Sequence, residues 1–103
     1  MEKAWSKLNV NYMNTDGGWS SQAFKVMTDM PQMRYQTKDF KPEALHEMIR
    51  GYDTEQYPMM GACINEYASL VTGHAYTILG AIILKKDGKD VRLYKMRNPW
   101  GTE

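Results

Sequence analysis

Gly73-His74-Ala75-Tyr76 and Arg97-Asn98-Pro99-Trp100-Gly101 bracket the most strongly patterned part of this 103-residue chain. Between them run Ile78, Leu79, Ile82, Ile83 and Leu84, then Lys86-Asp87-Gly88-Lys89, then Val91 and Leu93. Two β-rich runs around an Asp-Gly turn predict a hairpin, with strands over residues 74–85 and 90–98. Its register decides whether His74 and Asn98 meet. A two-residue loop, Asp87-Gly88, with strict pairing throughout, sets Thr77 opposite Asn98 and leaves His74 and Asn98 on opposite faces. A three-residue loop, Lys86-Asp87-Gly88, sets Tyr76 opposite Asn98 and puts both side chains on one face, as diagonal neighbours. The three-residue turn, or another bulge of equal parity, is the expected arrangement.

Working outward, Pro58 precedes a short apolar strand over residues 59–65, and residues 66–72 read as a loop. Residues 42–50 form a helix, with Pro42 in the first turn and Glu43 and Glu47 toward its positive end. Leu45, Met48 and Ile49 give its buried face, and Gly51 is a candidate terminus. Earlier, Ala4, Trp5, Leu8, Tyr12 and Met13 share one helical face over residues 2–14. Ala23, Phe24, Met27 and Met30 do the same in a second helix, capped by Ser20 or Ser21 and stopped by Pro31. Three helices followed by three strands predict an α+β fold, with helices packed on an antiparallel sheet.

At this length one domain is expected, with one modest core. Hydrophobic residues make up 43% of the chain, which argues against a disordered segment. The formal net charge of +1 gives no electrostatic case for nucleic acid or for a membrane surface. No apolar run reaches the ~18–20 residues of a membrane span, and no signal peptide opens the chain. A lone cysteine, Cys63, rules out an internal disulfide and suits a reducing compartment. The end at Glu103, straight after a strand, reads as a cut rather than a natural terminus.

His74 and Asn98 are the candidates for chemistry. An imidazole takes up a thiol proton best when a fixed acceptor holds its other nitrogen. An asparagine carbonyl is such an acceptor and adds no charge, and Trp100 is placed to cover the bond. On composition alone a histidine opening a strand is more often structural. Cys63 lies in an apolar strand, away from the helix N-terminus that lowers a nucleophile's pKa, and is expected to be structural. His46, beside Glu43 and Glu47, is expected on a solvated helix face. Asp87-Gly88-Lys89-Asp90 lacks the ligand spacing of a calcium loop.

Together these motifs resemble the histidine and asparagine motifs of calpains, the papain-like cytosolic cysteine proteases. Residues 2–9 resemble the helix that opens the second half of the calpain protease core. Gly17-Gly18 with Ala23-Phe24 resembles the next helix, and Gly61-Ala62-Cys63-Ile64 the strand before the histidine loop. The resemblance spans nearly the whole chain. It implies that residues 1–103 are a partial calpain-like core, the papain-like second subdomain, truncated at its C-terminal end.

It further implies His74 as catalytic base, Asn98 as its orienting partner, Trp100 as a shield and Gly73 as a position whose backbone meets substrate. The implied partners are a polypeptide substrate and an N-terminal protease subdomain carrying the catalytic cysteine, and the implied location is cytoplasmic. No metal or cofactor is expected in this chain. Calcium is implied only for the full-length protein, since Glu103 alone cannot supply 6–8 oxygens. Residues 65–73 are shorter than the loop that gates the cleft in many animal calpains. The alternative is a non-catalytic calpain-like module with a structural or protein-binding role in a larger assembly.

Overall fold

The computed structural model describes residues 1–101, and Thr102 and Glu103, the latter weighed above as a calcium ligand, lie outside the described residues. The chain forms two compact units, Met1–Arg34 and Tyr35–Glu103.

The first unit holds helix α1, Glu2–Leu8, and helix α2, Ser20–Thr28, with a 3₁₀ turn at Met13–Thr15 between them. α1 is shorter than its apolar pattern predicts. Asn9 turns its side-chain amide back to the Trp5 carbonyl, and Val10 takes a φ of 76° that no helix accommodates. Leu8, Val10, Tyr12 and Met13 are exposed, so periodicity past Leu8 had no buried face behind it. α2 starts after Trp19 without a serine cap and ends at Asp29, which adopts the left-handed conformation before Pro31 is reached. The Arg34 guanidinium lies 3.6 Å from the centre of the Trp19 ring, a cation–π contact.

In the second unit, helix α3, Pro42–Thr54, precedes strands β1, Met59–Cys63, β2, His74–Lys86, and β3, Lys89–Arg97. The strands form an antiparallel sheet in the order β1-β2-β3. The α+β class expected from three helices before three strands is the class observed. α3 runs through Gly51 because its inward stripe continues through Leu45, His46, Ile49, Tyr52 and Asp53, at helical spacing. Packing of that stripe outweighs the weak propensity of one glycine.

His46 departs from expectation. It is fully buried rather than solvated, with its ring 5.3 Å from the Tyr94 ring. Its Nε2 donates to the carbonyl oxygens of Ile82, at 3.1 Å, and Leu93, at 3.3 Å, residues that pair across β2 and β3. Its position next to Leu45 and three before Ile49 puts it on the buried stripe, while Glu47 points out to Arg50.

The hairpin register decides which faces His74 and Asn98 take. Lys86 pairs with Lys89, so the loop has two residues, with φ of 50° at Asp87 and 73° at Gly88. That is a type I′ turn, whose twist matches the strands and whose favoured sequence includes Asp-Gly. The three-residue form of the loop is therefore not the one adopted. The parity change comes instead at Leu79. Gly80 pairs with Lys95 and Ile78 with Met96, leaving Leu79 as the surplus residue of a β-bulge. Beyond it Thr77 faces Arg97, so the next position, Tyr76, faces Asn98. Gly80 supports this local bend, since a Cβ there would fall 2.9 Å from the Asp53 carboxylate of α3.

Candidate active site

β2 begins at His74 and β3 ends at Arg97, so the imidazole and the Asn98 amide emerge at the same end of the sheet. His74 Nε2 lies 2.9 Å from Asn98 Oδ1. The Trp100 backbone N–H also approaches Oδ1, at 3.2 Å. A backbone N–H can only donate, so the atom it meets is the amide's oxygen and not its NH₂. That oxygen in turn can only accept from the imidazole. The proton therefore sits on Nε2, and the lone pair of Nδ1 is free in the neutral ring. Among the described residues Nδ1 has no hydrogen-bond partner.

Two aromatic rings contact the imidazole. Trp100 lies 4.7 Å away at a tilt of 44°, and Tyr76 lies 4.9 Å away, nearly perpendicular at 87°. Trp100 remains 60% exposed, so its indole covers part of the site and leaves its own outer face to solvent. Tyr76 is buried, two residues along β2 on the face of His74.

Gly73 precedes His74 with φ of +71°, a left-handed conformation that favours glycine. Its N–H donates to the Cys63 carbonyl at 2.7 Å, and a Cβ built on it would meet nothing within 4 Å. The backbone here is anchored from behind and open in front. His74, Asn98, Trp100 and Gly73 are thus brought together as one cluster.

This hairpin end is the arrangement on which comparison with known proteins bears. The family model described as calpain family cysteine protease matches residues 1–103. The chain belongs to that family. The mouse (Mus musculus) calpain-1 catalytic subunit is 33% identical over 111 residues, covering 98% of this chain and 15% of the mouse protein. Calpain clp-4 of Caenorhabditis elegans is 32% identical over 113 residues, covering 100% of the chain and 16% of the worm protein. The human (Homo sapiens) calpain-1 catalytic subunit is 32% identical, with 98% and 15% covered. The chain spans about 15% of the length of these calpain relatives.

Two neighbours of His74 were not foreseen from the sequence. Cys63 is the direct cross-strand partner of His74, a consequence of the β1–β2 register that the loop between them conceals. The thiol donates to the Asn65 carbonyl at 2.9 Å, and among the described residues no hydrogen bond joins it to His74. Sequence reasoning also missed Tyr76 as a contact of the imidazole; its i, i+2 spacing from His74 was the available signal.

Among the described residues no three His, Cys, Asp or Glu side chains gather in a way that would hold a metal ion. Nor is any helix among them long and apolar enough to cross a membrane.

Proposed function

We propose that this chain supplies the base and its orienting partner to a calpain-type peptidase site, with the nucleophilic thiolate contributed by an N-terminal protease subdomain. The observation carrying the proposal is the 2.9 Å bond from His74 Nε2 to Asn98 Oδ1, with Nδ1 left free. A proton on Nε2 and a fixed acceptor beyond it are what a histidine needs to exchange a proton through Nδ1. Family membership supports the reaction class.

In this reading His74 Nδ1 takes the proton of the incoming thiol, leaving a thiolate–imidazolium pair. The thiolate sulfur attacks the peptide carbonyl carbon. As the C–N bond breaks, imidazolium returns its proton to the departing amine nitrogen, leaving a thioester. Water then attacks the thioester with His74 accepting its proton, which releases the acid and restores the thiol. Asn98 holds the ring in one tautomer throughout and Trp100 limits water around their bond. The open backbone at Gly73 meets the polypeptide substrate. Calcium dependence of the whole protein would rest on groups outside the described residues, and no step here uses an ion. A cytoplasmic setting suits a lone unpaired thiol.

Cys63 is not the nucleophile in this scheme. Its thiol ends a strand and already donates to the carbonyl of Asn65, two residues on. Mixing this chain with the first half of a calpain protease core and assaying a peptide substrate tests the proposal. Activity is expected in the mixture, kept in C63S and lost in H74A. Peptide cleavage by the pure chain, or loss of activity in C63S, would overturn the division of roles. A complex that forms but cleaves nothing would favour a non-catalytic, protein-binding module.

A further inference from the structure

The Tyr76 hydroxyl does something that its place in the core does not require. It accepts the Val71 backbone N–H at 2.9 Å, from a residue in the loop between β1 and β2. The loop closes at its base through Gly73 N–H to the Cys63 carbonyl, and at its tip through Leu70 N–H to the Tyr67 carbonyl. Of its apolar residues, Ile64 and Tyr67 are largely exposed, at 66% and 72%, and Leu70 is half-buried. The Val71–Tyr76 bond fastens the loop's flank to the strand that carries the imidazole. The same Tyr76 ring stands perpendicular to the His74 ring, 4.9 Å from it, and is only 6% exposed. A buried ring held at both ends has little freedom to move at one end without the other.

We propose that Tyr76 is a positioning residue that couples the placement of the loop at residues 64–73 to the orientation of the His74 ring. Loop displacement, as by a polypeptide lying along Gly73, shifts the Val71 anchor, the phenol follows, and the imidazole loses or gains its perpendicular support. The inference rests on the reading of His74 as the base, and makes the loop a regulator of that base.

Hydrogen exchange on the 103-residue chain tests it, reading the Val71 amide and the His74 Nε2–H against the Ala81 amide of the core. Y76F keeps the ring and removes the acceptor, so both signals should exchange faster by about fivefold relative to Ala81, the effect of one lost hydrogen bond. Y76L, which also removes the ring, should accelerate His74 further. Faster Val71 exchange with His74 unchanged would overturn the coupling, as would a uniform acceleration that includes Ala81. If wild-type His74 lacks the Nε2–H bond to Asn98 altogether, the proposed function fails, and that outcome is separate from either result with Y76F.

Discussion

His74 and Asn98 stand 24 residues apart in the chain and share a 2.9 Å hydrogen bond because Leu79 is left out of the β2–β3 ladder. The bulge is a parity device. A two-residue turn alone would send the two side chains to opposite faces, since side-chain direction alternates with every residue. One surplus residue on β2 reverses that. Deletion of Leu79 should therefore remove the bulge and leave every pair on either side unchanged. The His74–Asn98 bond should survive, as read by the His74 Nε2–H signal. Its loss on deletion would show that the bulge acts through something other than parity.

Asn98 fixes one nitrogen of the ring so that the other is available. N98A should lower kcat/KM in the reconstituted core by roughly 10- to 100-fold, the effect of losing about 1.4–2.8 kcal/mol of orientation. KM should change little, because the amide touches the imidazole and not the substrate. A fall carried by KM alone would place Asn98 in binding instead.

Trp100 packs against the imidazole at 4.7 Å while its outer face meets solvent. W100A should expose the Nε2–H to water and accelerate its exchange, with a smaller loss of activity than N98A. Its backbone N–H to Asn98 Oδ1 is unaffected by the substitution, so the amide should keep its orientation.

His46 holds the two strands of the hairpin from the helix side. H46A should destabilise the chain by about 2–4 kcal/mol in denaturant unfolding, combining a core cavity with loss of the Nε2–H donated to Ile82 and Leu93. E47A, on the exposed side of the same helix, should cost less than about 0.5 kcal/mol. Similar costs for both would return His46 to the solvated face that its neighbours Glu43 and Glu47 suggest.

Tyr94 contacts His46, and burial pushes its phenol above the ordinary value of 10.0. A raised folded-state value means that the unfolded chain loses its proton first as pH rises. The stabilisation is complete below about pH 10 and declines above it. Y94F should remove that part of the alkaline decline, visible as a flatter stability curve between pH 10 and the onset of base unfolding.

Much of the fold was legible in the sequence because it rests on local signals. Pro42 in the first helical turn, the apolar runs of β2 and the Asp87-Gly88 turn each carry one. The candidate site was legible because its residues flank a hairpin whose ends must approach. What stayed hidden depended on tertiary packing. At the bulge only a glycine leaves room for the Asp53 carboxylate of α3, and α3 is remote in sequence. The burial of His46 follows from where the helix stripe lands on the sheet, which a run of charged neighbours obscures. The shortness of α1 follows from the exposure of Leu8 and Tyr12, whose spacing alone suggested a buried face. The Cys63–His74 pairing is set by the closure of an intervening loop.

Asn98 holds the His74 ring through Nε2 and leaves Nδ1 free. The direct measurement is the tautomer of His74 at neutral pH, from long-range ¹H–¹⁵N correlation spectra of the labelled chain. His74 should show a protonated, slowly exchanging Nε2 and an unprotonated Nδ1, with that preference lost in N98A. A ring protonated on Nδ1, or an even mixture that N98A leaves unchanged, would contradict this arrangement.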